Sequence, residues 1–544
     1  MTGQSTSVPE YPEYDALVVG AGFGGLYALY QLRAHGFSCH AFETGDDVGG
    51  TWYWNRYPGA RCDVESLDYC YSFSPELHAE WDWTERFATQ PEILRYAGHV
   101  ADRFDLRPMI SFGTRVVSAV WEEGSRTWLL TTGDGRRARA RFLVTAVGCL
   151  SASRVPDLPG LDAFRGEVHH TGRWPHAGVD LADKRVAVIG TGSSGIQAIP
   201  ELAAHARHLT VFQRTPNYSL PARNRPLSGR ESWRAKTELE ELRSYARTGF
   251  SGFYIASTGS SALDVGEEER RAAFERKWAI GGTEIMSVFT DVLTDGKANE
   301  HLAEFVREKI RDAVDDPATA RKLVPLDYPI GTKRICVDSG YFTTYNRENV
   351  DLVDLRAEPL VEITEDGIRT EGGTYPAEVL VLATGYDAMT GPLTRIDVRG
   401  TDGRSLKQQW SSGPRTYLGL AVAGFPNLLT VTGPGSPSVL VNMVRAVEQH
   451  VDWIVDCLRR LREDGVDRIE ARPEAQDSWV AHVNEVADTT LYPRADSWYV
   501  GANVEGKARV FMPYAGGLSH YRERCEEVAR SGYRGFALGP EVSA

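Results

Sequence analysis

The stretch Ala16-Leu17-Val18-Val19-Gly20-Ala21-Gly22-Phe23-Gly24-Gly25 decides the fold. A short apolar run reads as a buried strand, and it ends in glycines spaced G-x-G-x-x-G. Gly20 lets the chain turn sharply out of the strand. Gly22 lets backbone approach a pyrophosphate, and Gly25 lets the next helix pack close to the sheet. Leu26 to Ala34 has helical character and stops at Gly36, and Phe37 to Glu43 reads as a second strand. The helix offers its first N–H groups and its positive dipole end to phosphates. Glu43 lies 21 positions after Gly22, where a carboxylate accepts hydrogen bonds from ribose hydroxyls.

The same grammar recurs downstream. Arg185-Val186-Ala187-Val188-Ile189 leads into Gly190-Thr191-Gly192-Ser193-Ser194-Gly195, then a helix to about His205 and a strand from Leu209 to Gln213. Two copies of one strand–turn–helix–strand unit make this an α/β chain with two Rossmann-like dinucleotide sites. The copies differ in their partner residues. The second strand of the second unit leads not to an acid but to Arg214-Thr215. A carboxylate there would repel a 2′-phosphate, whereas an arginine and a hydroxyl bind it. The first loop, with its acid, therefore suits FAD and the second, with its base, suits NADPH. Ser193 and Ser194 add hydroxyl donors for the pyrophosphate.

Outward from these loops the chain has 544 residues, more than one core serves, and two or three domains are expected. From about Gly229 to Asp316 charged helical segments dominate: Glu231 to Arg247, Glu267 to Trp278 and Asn299 to Val314. In the last, Leu302, Phe305, Val306 and Ile310 share one face, with Asp315-Asp316-Pro317 as a stop. Strands return at Val350 to Leu355 and at Glu378 to Leu382.

Net charge is −14. An acidic surface repels nucleic acid and anionic lipid, so neither is an expected partner. The seven cysteines include no C-x-x-C pair, so neither a metal site nor a dithiol centre is expected. Met1 to Tyr14 has no basic and apolar regions of a leader. The most apolar stretch, Tyr417 to Thr432, is broken by Gly419, Gly424, Pro426 and Asn427 and cannot span a membrane. A cytoplasmic protein is expected.

Between the two units, Phe164-Arg165-Gly166-Glu167-Val168-His169-His170-Thr171-Gly172-Arg173-Trp174-Pro175 matches the fingerprint F-x-G-x-x-x-H-x-x-x-W-P of the Baeyer–Villiger monooxygenases. Gly50-Thr51-Trp52, Tyr57-Pro58-Gly59 and Asp63 match a second pattern of that family. Thr432 to Ser438, followed by Met443, is similar to its phenylacetone and steroid monooxygenase members. The resemblance runs from about Tyr14 to about Arg534.

The resemblance implies interleaved domains. FAD-binding segments lie at 1–150 and 386–544, NADPH-binding segments at 151–225 and 329–385, and a helical insertion at 226–328. Thr145-Ala146-Val147-Gly148 and Ala383-Thr384-Gly385-Tyr386 resemble the domain crossings. The fingerprint residues Phe164, Gly166, His170, Trp174 and Pro175 are read as a linker that couples the domains, with His170 an organiser rather than a catalyst.

The implied chemistry is oxygen insertion next to a ketone carbonyl by a C4a-peroxyflavin, with NADPH and O2 consumed and an ester or lactone formed. Tyr328 to Arg334 matches the stretch that carries the active-site arginine, which assigns that role to Arg334, with Asp63 to hold it. Arginine suits the role because it stays protonated beside a desolvated ring. Gly20, Gly22, Phe23, Gly25, Glu43, Gly50, Thr51, Trp52, Asp63, Tyr69 and Met443 are then FAD positions. Arg61, Thr191, Gly192, Ser193, Ser194, Gln197, Arg214, Thr215, Lys333, Arg334 and Trp498 are NADP positions. Lys333 joins Arg214 and Thr215 at the 2′-phosphate. A flavin N- or S-oxygenase and a non-catalytic redox-signalling flavoprotein remain as alternatives. The expected assembly is a monomer or a weak homo-oligomer.

Overall fold

In a computed structural model, the structure describes residues 11–253 and 257–539. Most of the stretch read as lacking a leader, residues 1–10, lies outside the described residues.

Glu13–Val19 is a strand whose inner residues are buried, as parallel sheets covered on both faces require. It lies between Cys39–Phe42 and Arg137–Thr145, and all three run parallel. Ile110–Ser111 extends one side and Leu428–Thr430 the other, also in parallel. Arg137–Thr145 forks. Its last residues pair with Leu428–Thr430, while its first pair antiparallel with Thr127–Thr132. Val116–Glu122 and then Asp397–Arg399 complete that arm. Strands from both ends of the chain thus share one sheet. The long helix Met443–Glu463 packs on the helix Phe23–Ala34, where the Tyr27 hydroxyl donates to Asp452 at 2.6 Å.

The second sheet is wholly parallel, in the order Val350–Asp354, His208–Gln213, Arg185–Ile189, Val379–Leu382, Glu167–His170. The four residues Glu167–His170 of the fingerprint are therefore an edge strand of this sheet, where a linker is expected from the sequence. Along it Glu167 and Val168 are exposed and His170 is buried.

Two readings of the insertion change. The segment Glu231 to Arg247 forms two helices, Gly229–Thr237 and Leu239–Thr248, the first begun by a capping box of Ser228 and Glu231. The stop at Asp315-Asp316-Pro317 is also a start: Asp316 accepts from the Ala318 and Thr319 N–H groups and opens the helix Pro317–Leu323. Leu302, Phe305, Val306 and Ile310 are buried along one face of Gly296–Ala313, as the spacing requires.

The glycine spacing of the first loop has a steric cause. Gly20 takes φ +101° at the turn, and a Cβ on Gly25 would lie 1.9 Å from the Gly20 carbonyl oxygen. The second loop repeats this, with 2.3 Å between a Cβ on Gly195 and the Gly190 oxygen. Gly25→Ala must push helix from strand at the mouth of the cavity. Overpacking of this kind costs about 1–3 kcal/mol. The variant should melt several degrees lower and be purified with less flavin per chain, measured by calorimetry and by absorbance after denaturation. Full flavin content at an unchanged melting temperature would contradict the steric account.

Candidate active site

The two loops face one cavity of about 1560 Å³, larger than the roughly 300–1,000 Å³ of a single-ligand site. Among the described residues it is lined by eleven arginines and lysines and only four carboxylates, in a chain of net charge −14. The local basic groups that phosphates require are gathered here.

At the first loop, Gly20, Gly22, Phe23, Glu43, Gly50, Thr51, Trp52, Asp63, Tyr69 and Met443 all line the cavity. Gly25 does not, because it sits beneath the turn. Glu43 is buried, and its carboxylate accepts the Ala21 and Gly45 N–H groups, each at 2.7 Å. Burial pushes its pKa up, and these N–H donors work against that rise. The carboxylate thus fixes the loop to the strand that follows it. The loop also closes on Gly50: a Cβ there would lie 2.8 Å from Gly22 Cα. That leaves bare backbone on two sides, a cradle for a pyrophosphate. The Trp52 indole donates to the Tyr69 hydroxyl at 3.1 Å, which sets two of the wall rings.

At the second loop, Thr191, Gly192, Ser193, Ser194, Gln197, Arg214, Thr215, Lys333 and Trp498 line the same cavity. The Thr191 hydroxyl donates to the Thr215 carbonyl at 3.0 Å. Lys333 donates to the Asp496 carbonyl at 2.9 Å and stands 4.7 Å from the centre of the Tyr328 ring. Burial lowers its pKa, and the nearby Arg214 adds to the effect.

Gln197 joins the two units. Its amide oxygen accepts the Tyr57 hydroxyl at 2.8 Å, and its NH2 donates to the Arg61 carbonyl at 3.0 Å. Gly59 takes φ +81°, and a Cβ on it would lie 2.2 Å from the Gln197 carbonyl oxygen. The Tyr57-Pro58-Gly59 pattern is therefore an interface between the units. Arg61 itself pairs with Glu85 at 3.2 Å.

Asp63, just beyond that interface, meets Arg334 from 271 residues away. The Arg334 Nε–H donates to Oδ2 at 2.9 Å and Nη2 to Oδ1 at 2.6 Å, a two-pronged pair. Nη1 donates to the Val439 carbonyl at 2.5 Å. Three of the five guanidinium N–H groups are used, and two remain for a ligand. The side chains of Arg334 and Asp63 stay 30% and 19% exposed, and both residues line the cavity. Burial opposes the charge on Arg334, but the Asp63 carboxylate outweighs it and holds the pKa well above the ordinary value. Val439 carries no sequence signal, since every residue has a carbonyl.

The fingerprint lies behind the cavity. Phe164, Gly166, His170, Trp174 and Pro175 do not line it, whereas Gly172 and Arg173 do. Trp174 is buried in the core of the second unit, near the His169 ring at 5.5 Å. His170 Nδ1 accepts the Gly172 N–H at 2.9 Å, and its Nε2–H donates to the Arg154 carbonyl at 3.1 Å. Those partners fix one neutral tautomer, and burial lowers the pKa. Thr171 hydrogen-bonds Ser194 at 3.1 Å, so the turn that His170 shapes rests on the second glycine loop. Tyr386, from the second crossing, donates to Asn55 of the first unit.

The seven cysteines are free and buried. Among the described residues, no group of His, Cys, Asp and Glu is gathered to hold a metal ion, and no helix is long and apolar enough to cross a membrane.

Comparison with known proteins agrees with this geometry. The model of an NAD(P)-binding Rossmann-like domain matches residues 18–76. Acetone monooxygenase (methyl acetate-forming) of Gordonia sp. (strain TY-5) is 44% identical, over 96% of this chain and 99% of its own. A Baeyer–Villiger monooxygenase of Pseudooceanicola batsensis is 41% identical, over 96% and 95%. Phenazine N-monooxygenase of Lysobacter antibioticus is 42% identical, over 98% of each. The solved structure of an oxidized steroid monooxygenase bound to NADP superposes with a TM-score of 0.93. It is 53% identical and covers 97% of this chain and 99% of that one.

The role of turn organiser expected for His170 has a testable consequence. Asn keeps an oxygen where Nδ1 accepts, and Thr384 still donates to the Arg154 carbonyl at 2.7 Å. His170→Asn should therefore cost about 1 kcal/mol of stability and little turnover. His170→Leu, which strands the Gly172 N–H, should cost more. Because the folded pKa lies below the unfolded value of about 6.5, the unfolded chain binds the proton more tightly. The stability advantage of wild type over His170→Asn is then full above that pH and shrinks as pH falls through it. Melting curves from pH 8 to 5 and oxygenation rates check this. A rate loss of about 10²-fold or more in the Asn variant would instead mark His170 as an acid or base.

Proposed function

The chain belongs to the Baeyer–Villiger monooxygenase family, and from that premise we propose that it inserts one oxygen atom of O2 beside a ketone carbonyl. The products are an ester or lactone and water, with FAD as cofactor and NADPH as reductant. The observation that carries this reading is the Asp63–Arg334 pair, set where the two dinucleotide loops share one cavity.

When bound and reduced, FAD supplies the activation of O2. The chain's own residues do the rest. The first loop and Glu43 seat FAD, with Thr51, Trp52, Tyr69 and Met443 as walls. Arg214, Thr215 and Lys333 hold the 2′-phosphate, and Ser193, Ser194 and Gln197 flank the pyrophosphate. Arg334 presents a fixed positive charge and two free N–H groups to the oxygen of the ketone as it gains negative charge. Held well above its ordinary pKa, it donates hydrogen bonds without giving up a proton. Asp63 and the Val439 carbonyl keep the guanidinium plane from turning. Trp498 closes the nicotinamide end.

In the same reading the FAD domain comprises 1–150 and 386–544, and the NADPH domain 151–225 and 329–385, with the insertion at 226–328 between them. Strands on both sides of the second unit share the first sheet, which supports this division. Seven free, buried thiols suit a reducing cytoplasm. A monomer or weak homo-oligomer completes the proposal.

The test is Arg334→Ala. FAD content should stay near wild type, because neither glycine loop is touched. Ester yield should fall by about 10²–10³, with NADPH still oxidised and hydrogen peroxide released in its place. Arg334→Lys should restore part of the yield, because an ammonium lacks the planar fork. Product mass spectrometry against ketones and against aromatic amines, with peroxide assayed in the same samples, reads the outcome. Normal ester yield from Arg334→Ala would remove the arginine from the mechanism, and products oxygenated only at nitrogen would replace the ketone reading.

A further inference from the structure

Arg356 and Asp327 line the second-loop end of the cavity, and the functions assigned so far use neither. Topology places Arg356. Val350–Asp354 runs parallel beside His208–Gln213, with Asp354 opposite Gln213. One residue further, the Leu355 N–H donates to the Gln213 carbonyl at 2.8 Å. Arg214 and Arg356 therefore leave the carboxyl ends of adjacent parallel strands, the edge of an open α/β sheet at which ligands bind.

Arg356 forms an ion pair with Asp327, and the two side chains are 47% and 53% exposed. Asp327 directly precedes Tyr328, whose ring lies against Lys333. Lys333 senses the group: after burial and Arg214, Arg356 also lowers its pKa, while Asp496 and Asp327 oppose. Arg214, Lys333 and Arg356 thus line one cavity, with Asp327 paired to Arg356 on the same wall. Three cations brought together repel one another unless an anion stands between them.

We propose that Arg356 is a third ligand of the adenosine 2′-phosphate of NADPH, and that Asp327 is the counter-ion which holds Arg356 until that phosphate arrives. The inference rests on the reading that the second loop takes NADPH. An exposed ion pair contributes little stability and is broken at low cost. A phosphate offers the guanidinium shorter, two-pronged, charge-assisted bonds. A nucleotide without the 2′-phosphate gives Arg356 nothing better than Asp327. Arg356 therefore strengthens the preference for the phosphorylated nucleotide, and Asp327 restrains it.

The experiment is calorimetric titration of the full-length, FAD-loaded protein with 2′,5′-ADP and with ADP, at two ionic strengths. Neither probe carries a nicotinamide, so flavin chemistry does not enter. Wild type should bind 2′,5′-ADP more tightly than ADP. Arg356→Gln should lose about tenfold of the 2′,5′-ADP affinity and keep its ADP affinity. Asp327→Asn should tighten 2′,5′-ADP severalfold, again without effect on ADP. General loosening of the fold cannot produce opposite signs at paired residues, and flavin content with melting temperature monitors folding in each variant. Arg214→Ala separates the two claims. If it leaves the gap between the probes unchanged, the NADPH reading of the loop fails. If it narrows the gap while Arg356→Gln does not, only the role of Arg356 is overturned. Weaker 2′,5′-ADP binding by Asp327→Asn, or equal losses for both probes in either variant, would overturn the counter-ion pair.

Discussion

The pairing of Asp63 with Arg334 is the constraint on which the rest of the site depends. A guanidinium beside a cavity meant for a flat, largely apolar ring loses hydration on most sides. It keeps its charge there only with a carboxylate in two-pronged contact. That requirement brings together residues 271 positions apart. Asp63 can reach because Gly59 lets its segment press on the second unit's helix, and because Gln197 holds Tyr57 and the Arg61 carbonyl. The Val439 carbonyl closes the third side. The pair is costly to desolvate and is weak evidence for stability. Its value lies in direction, because two N–H groups are aimed by three fixed contacts.

Around this pair the cavity reverses the electrostatics of the whole molecule. The chain is acidic, yet eleven cationic side chains and four carboxylates line the cavity. Two dinucleotides bring several phosphate charges into one space, and uncompensated burial of those charges would be prohibitive. Low-dielectric walls around a basic cleft also focus the field and draw anionic nucleotides inward. The acidic exterior keeps other polyanions away, so net charge and cavity charge act on different ligands.

Much of this was legible in the sequence because the physics was local. The glycine spacing fixes a strand–turn–helix unit by sterics, and both loops, with Glu43 and Arg214, stand where that spacing places them. What was not legible depended on long-range contact or on backbone. The break between Thr237 and Leu239 carries no glycine or proline to announce it. Asp316, a stop by its sequence context, also caps the start of the next helix. The position of Glu43 predicts a ribose acceptor, and its carboxylate is also the tie between the Ala21 and Gly45 N–H groups. The third hold on Arg334 is a carbonyl, which no side-chain pattern encodes.

The fingerprint shows why a strong sequence signal need not mark a contact residue. A residue that touches a ligand can often be replaced by another that presents the same donor. His170 has narrower requirements: it must accept at Nδ1 from Gly172, donate at Nε2 to Arg154 and stay neutral while buried. Trp174 must fill one volume in the second unit's core. Together they fix the turn from Thr171 to Arg173, which carries a hydroxyl to Ser194 and an arginine to the cavity wall. The strand before that turn lies at the edge of the second sheet, and Tyr386 beside it reaches Asn55 of the first unit. A shift of the turn would therefore be felt at the second glycine loop and, through Tyr386, at Asn55 of the first unit. The fingerprint thus meets several geometric conditions within one short segment, and its contacts reach both units.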